Sequence, residues 1–146
     1  MKRLNLGCGK HPKPMYTNVD MYPLDSVDVV HDLDVLPWPF ADESHDEIVG
    51  IDIFEHVRDG IGFMNECARV LKPGGILNMR TCYWRSQNAY SDPDHKRFPT
   101  EETFDYWCKG TYFNQEYGHY TRDGRLFEKI KVAPVNGELE VILRRI

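Results

Sequence analysis

Leu4-Asn5-Leu6-Gly7-Cys8-Gly9 is the stretch on which the reading of this chain turns. A short apolar run breaks at two glycines, and Asn18-Val19-Asp20 then ends a second extended segment on an acidic residue. Glycine lets a backbone turn sharply and approach a ligand with no Cβ in the way. A carboxylate at the tip of the next strand can accept hydrogen bonds from both hydroxyls of a ribose, the geometry used in dinucleotide folds. The third glycine that serves a pyrophosphate at a helix N-terminus is missing, so a nucleoside ligand without phosphate fits better. Only Lys10–Tyr16, with Pro12 and Pro14 among them, separates Gly9 from the second strand. A parallel crossover usually needs about a dozen residues, so the first crossover helix is expected to shrink to one turn at most.

Outward from this point, strand-like and helix-like segments alternate, which predicts an α/β fold with a mostly parallel sheet. Strands are expected at Arg3–Leu6, Tyr16–Asp20, Val27–His31, Glu47–Ile53 and Gly75–Arg80. The fourth is a nearly continuous apolar run, as in a buried parallel strand. Ile61, Met64, Cys67, Ala68 and Leu71 fall at helical spacing, with Asp59 as N-cap and Pro73-Gly74-Gly75 as the stop. Thr100 is expected to cap a second helix, Glu101–Trp107, through a capping box. Leu126–Val135 and Glu138–Arg145 flank Asn136-Gly137, the pair that best suits a type I′ hairpin turn. The antiparallel hairpin closes the sheet.

Length and composition bound the function. The chain's 146 residues suit one domain, divided as a cofactor-binding half (1–80), an acceptor-site cover (81–125) and the hairpin (126–146). A net charge of −5 gives no general attraction to nucleic acid. Arg80, Arg85, Lys96 and Arg97 form a local basic group, but Asp92 and Asp94 interrupt it, so a solvated mixed surface is expected. Neither a signal peptide nor a run of about 20 apolar residues is present, which predicts a soluble, cytoplasmic protein with no membrane contact. Cys8, Cys67, Cys82 and Cys108 are scattered, without a Cys-x-x-Cys pair, which argues against a disulfide framework and a structural zinc site. His31, Asp32, His56 and His95 lack metal-ligand spacing, so no metal site is expected.

Taken together, the separated motifs resemble the class I S-adenosylmethionine-dependent methyltransferases, in particular small proteins of the ubiquinone-biosynthesis type (the methyltransferase type 11-like group). The matches are Leu4 to Gly9, Asn18-Val19-Asp20, His31-Asp32-Leu33-Asp34 with Leu36-Pro37-Trp38-Pro39-Phe40, and Phe40 to Ile48. Phe54-Glu55-His56-Val57 and Glu66 to Gly75 follow in the same order. The match is looser after Tyr83, although Asp92 to Phe98 looks like a segment seen in a subset of the group. The resemblance implies a Rossmann-like single domain that binds S-adenosyl-L-methionine and transfers its methyl group. Gly7 and Gly9 would then pass under the methionine part, with Asn5 and Cys8 alongside, and Asp20 would hold the ribose. Asp32 would accept from the adenine amino group and the Leu33 amide would read the neighbouring ring nitrogen. Ile51 and Asp52 would flank the amino-acid end and face the methyl group. Two departures stand out: the shortened first crossover, and His45 where the group more often has an aromatic residue.

A sulfonium methyl is already activated, so positioning is the main task. A general base is needed only for a hydroxyl or protonated amine. His56 is the first candidate, since an imidazole titrates near neutrality and Glu55 and His56 would begin the next helix at the mouth of the site; Glu55 and His95 are alternatives. Ile51-Asp52-Ile53-Phe54 replaces the Asn/Asp-Pro-Pro-Tyr/Phe motif that grips an exocyclic amine, which disfavours nucleic-acid bases. A small-molecule acceptor is expected, with a homodimer as one way to complete an abbreviated site. Tyr83, Trp84, Tyr90, Phe98, Phe104, Tyr106 and Trp107 would cover the acceptor or fill the core, the core being the stronger expectation for most. The competing readings are a nicotinamide-dependent or nucleotide-sugar enzyme, a non-catalytic cofactor- or partner-binding remnant of a methyltransferase, and a metal protein.

Overall fold

The strands are β1 (Arg3–Leu6), β2 (Thr17–Asp20), β3 (Val29–Val30), β4 (His45–Ile51), β5 (Leu71–Cys82), β6 (Phe127–Val135) and β7 (Glu138–Arg145). In the computed structural model, which describes residues 1–146, they form one sheet in the order β3-β2-β1-β4-β5-β7-β6. β1 to β5 run parallel and the β6–β7 hairpin antiparallel. This is the single α/β sheet the sequence predicts. Asn136 (φ 51°) and Gly137 (φ 80°) both take the left-handed conformation that a type I′ turn requires.

The helices differ more from expectation. α1 (Gly60–Val70) is the only long one, capped by Asp59, whose side chain accepts from the Gly62 amide at 2.7 Å. It ends before Pro73, because Leu71 turns extended and pairs with His45 of β4. Pro73-Gly74-Gly75 then form an irregularity inside β5 instead of a helix stop. Met64, Cys67 and Ala68 are buried as predicted, but Ile61 is 40 % exposed, and Phe63 takes the core position instead. The helix predicted at Glu101–Trp107 is reduced to turns and a 3-10 turn at Asp105–Trp107. The position three residues after Thr100 is Thr103, not a glutamate, and its hydroxyl accepts the Thr100 amide at 2.8 Å. Two short helices, α2 (Gln87–Ser91) and α3 (Tyr112–Tyr117), complete the set. No helix is long and apolar enough to cross a membrane.

The core lies between α1 and one face of the sheet. Leu4, Leu6, Val19, Ile48, Leu77, Met79, Val141 and Leu143 meet Phe63, Met64 and Cys67 there, with Trp38, Phe54, Phe104, Trp107 and Phe127 filling the ends. All four cysteines are free and buried. The alternating positions on the other face include Arg3, Asn5, Asn18, Glu47, Asn78 and Arg80, and no helix of α1's length is available to cover them.

None of the crossovers among β1, β2, β3 and β4 contains a helix. Side chains hold these loops instead. Asn18 accepts from Asn5 Nδ2 at 2.9 Å and from the Lys13 amide at 2.8 Å, and its own amide nitrogen donates to the Lys13 and Tyr16 carbonyls. Asp28 Oδ2 receives the Asn18 backbone amide at 2.7 Å. The β3–β4 loop inserts Trp38 into the core and is clasped from α1. Glu66 accepts the Trp38 amide at 2.7 Å, while Arg69 pairs with Glu66 and donates to the Trp38 and Phe40 carbonyls. His45 packs edge-on against Phe40, ring centroids 5.4 Å apart, so the imidazole fills an aromatic position.

Removing the Glu66 carboxylate would leave the Trp38 amide without its acceptor and take two hydrogen bonds from the Arg69 guanidinium, which would keep only Asp42 and the Trp38 and Phe40 carbonyls. Glu66→Ala should cost about 3 kcal/mol, read as a lower urea midpoint with an unchanged slope. Burial, aided by Lys2 and Lys72 and opposed by Asp46, holds the His45 imidazole below its usual range. The unfolded chain then takes up a proton that the folded chain resists, so stability falls as pH drops below about 6.5. His45→Phe keeps the ring contact and removes that titration. Its Tm should fall less than the wild type's between about pH 7.5 and 5.5.

Candidate functional site

A cleft of about 710 Å³ opens at the carboxyl ends of β1, β2 and β4, where α/β sheets bind ligands. Gly7 and Gly9 form its floor. Gly7 (φ 62°) turns the chain out of β1 beneath the Ile53 side chain, which a Cβ on Gly7 would approach to 2.7 Å. Gly9 (φ 50°) has open space where its Cβ would stand. Asp20, at the tip of β2, is fixed by two backbone donors: Gly9 to Oδ2 at 2.9 Å and Tyr22 to Oδ1 at 3.1 Å. Asp32 and Leu33 form the opposite wall. Asp32 Oδ1 accepts the Asp34 amide at 2.9 Å, and the Leu33 amide donates to no other group of the protein.

Five predicted cofactor residues therefore meet in one cleft: Gly7, Gly9, Asp20, Asp32 and Leu33. Asp52 joins them at its mouth, held at a φ of 52° and paired with Arg80 at 3.1 Å. Three others stand elsewhere. Asn5 is buried and bonded to Asn18 and the His11 carbonyl, away from the cleft. Cys8 is buried, its thiol near the Gly9 and Ser26 carbonyls and pushed upward in pKa by burial and the Asp20 carboxylate. Ile51 does not line the cleft; Ile53, beyond the strand end and the left-handed turn at Asp52, lines it instead.

The expectation that Glu55 stands at the mouth as an acid or base is corrected by its placement. It is 1 % exposed, and its carboxylate accepts from Thr81 Oγ1 at 2.8 Å and the Cys82 amide at 3.0 Å. It bolts the loop after β4 to the end of β5. Nor do Glu55 and His56 begin a helix; Phe54–His56 is a turn, and α1 starts only after Asp59.

His56 does reach the cleft, with Nδ1 hydrogen-bonded to Asp94 Oδ2 at 2.8 Å. Lys96, and secondarily His56, hold the Asp94 carboxyl below its ordinary range. His95 is more enclosed, packing its ring edge-on against His56 with centroids 4.8 Å apart. Sequence reasoning missed several groups. Arg97 is no surface cation: it donates to the Phe54 and Arg58 carbonyls and lies over the Phe54 ring. Asp34 accepts the Arg58 and Asp59 amides at 2.8 and 3.1 Å, tying the β3–β4 loop to the start of α1. The motif His31-Asp32-Leu33-Asp34 was the available signal for Asp34. For Arg97 there was none, since its partners are backbone carbonyls some forty residues away. From the segment 81–125 only Asp94 and Lys96 line the cleft. Phe104 and Trp107 are core as predicted, while Tyr90 and Phe98 stack on each other at the surface.

Residues 16–79 match the model of a methyltransferase domain. A "Probable S-adenosylmethionine-dependent methyltransferase" of Mycolicibacterium smegmatis is 43 % identical over 56 residues, covering 38 % of this chain and 21 % of that protein. The ubiquinone biosynthesis O-methyltransferase of Parvibaculum lavamentivorans is 39 % identical over 41 residues, 28 % of this chain and 16 % of its own length. The aligned regions thus span about a fifth or less of these curated relatives. Among solved structures, a SAM-dependent methyltransferase from Aquifex aeolicus superposes with a TM-score of 0.56 at 18 % identity, over 100 % of this chain and 82 % of that one, a likeness of fold. The strand order, the glycine turn facing an acidic strand end and the match over residues 16–79 agree with one another, and the chain is similar in sequence and fold to the class I S-adenosylmethionine-dependent methyltransferases.

Proposed function

We propose that this chain binds S-adenosylmethionine in the cleft and transfers its methyl group to a small-molecule acceptor at the His56 end. The observation that carries the reading is the convergence of Gly9, Asp20, Asp32 and the unpartnered Leu33 amide around one nucleoside-sized space. Asp20, already oriented by two amides, takes the ribose hydroxyls. Asp32 and the Leu33 amide present the acceptor and donor that an adenine edge needs. Gly7 and Gly9 leave room for the methionine chain, and Asp52 faces its reactive end. Bound there, the cofactor supplies an electrophilic sulfonium methyl that an acceptor displaces in line.

The chain's own part is placement and field. Asp20, Asp32, Asp34, Asp52 and Asp94 outnumber Arg58 and Lys96 around the cleft, so the lining favours a cation over its neutral product. His56 has Nδ1 committed to Asp94, which leaves Nε2 free to take a proton from a hydroxyl or ammonium acceptor. The non-catalytic remnant finds no support in the fold: the helix-less first crossover leaves the cleft intact. A homodimer belongs to this reading only as a way to cover the open acceptor side.

Calorimetric titration with S-adenosylhomocysteine and S-adenosylmethionine tests the site. Asp20→Ala should weaken binding roughly ten- to a hundredfold with a wild-type melting profile; equal affinity would remove Asp20 from the site, and no binding by the folded wild type would sink the proposal. With a panel of phenols, catechols and amines as acceptors, His56→Gln should lower kcat by about a hundredfold or more and leave cofactor affinity within a few-fold. A fall in cofactor affinity alone would make His56 a packing residue.

A further inference from the structure

Beside the cleft, His56 converges on one point with two side chains from a distant segment, Asp92 and His95. His56 Nε2 stands 3.9 Å, and His95 Nε2 3.7 Å, from the same oxygen, Asp92 Oδ2. The three ligand-type atoms lie within 4.8 Å of one another. Each imidazole is held from behind, His56 Nδ1 by Asp94 Oδ2 at 2.8 Å and His95 Nδ1 by the Ala89 carbonyl at 2.9 Å. Because a carboxylate and a carbonyl only accept, Nδ1 of each ring carries a proton, and the neutral tautomer that results has its lone pair on Nε2. Asp92 is committed in the same way: Oδ1 accepts the Asp94 amide at 2.9 Å, which leaves Oδ2 for the cluster.

Two imidazoles with Nε2 toward one carboxylate oxygen, each ring oriented by an acceptor behind it, is the support found around metal-bound histidines. As an ion-pair cluster it gains little, since neither Nε2 reaches hydrogen-bond distance of Asp92. We propose that His56, Asp92 and His95 bind a divalent transition cation of the zinc class. Two histidines and one carboxylate make a three-ligand set that leaves coordination open for a ligand oxygen. Bonds of about 2.1 Å in tetrahedral geometry place ligand atoms about 3.4 Å apart. The present separations, within 4.8 Å, contract to this geometry by rotation of Asp92, 45 % exposed, together with a closer approach of the two imidazoles. A second cleft, lined in part by Asp52, Cys82, Asn88 and Glu138, opens on the same three residues and gives the cation a path from solvent.

The site stands on its own geometry and does not rest on the methyl-transfer reading. It does constrain it, because an ion on His56 Nε2 occupies the lone pair that the base role would use. The test is titration of the chelator-stripped full chain with Zn²⁺ against a chromogenic chelator, and with Co²⁺ followed by visible absorption. One equivalent should bind with micromolar affinity or better. Asp92→Asn, on an exposed carboxylate that the core does not need, and His95→Gln should each weaken it tenfold or more while far-UV circular dichroism stays unchanged. Absence of stoichiometric binding, or binding that survives Asp92→Asn in folded protein, overturns the assignment. So does thiolate absorption in the Co²⁺ form, which would put the ion on a cysteine.

Discussion

Hydrogen bonding in the crossovers is the constraint on which the rest of this structure depends. A parallel sheet needs its strands joined end to start, and a helix normally does this while satisfying its own backbone. Between β1 and β4 the chain has no such helix. Side chains take up many of the backbone donors and acceptors there: Asn18 serves Lys13 and Tyr16, Asn5 the His11 carbonyl, Asp28 the Asn18 amide, and Ser26 the Gly9 carbonyl. A half-satisfied buried amide pair costs more than it gains, so the completeness of this network lets a ten-residue connection replace a crossover helix.

The same economy shapes the site. Without helices over the carboxyl ends of β1 and β2, the walls are built from turns, and each turn is tied to a carboxylate: Asp20 holds Gly9 and Tyr22, Asp34 holds Arg58 and Asp59. Carboxylates that carry the architecture are therefore also the ones that line the cleft, which explains why the lining is so acidic. Glu55 is the exception, an acid at the site's edge turned wholly inward to bolt β4 to β5.

Much of this was legible in the residues. The glycine turn and Asp20 predict the cleft floor and one of its walls, and Asn136-Gly137 predicts the hairpin, because both need backbone conformations that few residues tolerate. Asp59 caps α1 as expected for the same local reason. Where local pattern misled, packing had the last word. Ile61 kept helical spacing yet faces solvent, and Thr100 begins turns that do not propagate as a helix although Phe104, Trp107 and Cys108 are buried at helical spacing. Asn5 and Ile51 stand next to site residues in sequence, but neither lines the cleft.

The sequence by itself determined the α/β class, the position of the nucleoside-type turn, the acidic strand tip and the closing hairpin, all set by neighbours within a few residues. Only the tertiary structure decided that Glu55 is buried, that Arg97 clasps the loop after β4, and that His56, Asp92 and His95 share one point. Those contacts join segments from 26 to 43 residues apart. No local spacing encodes them, because what brings such side chains together is the burial of the core between them.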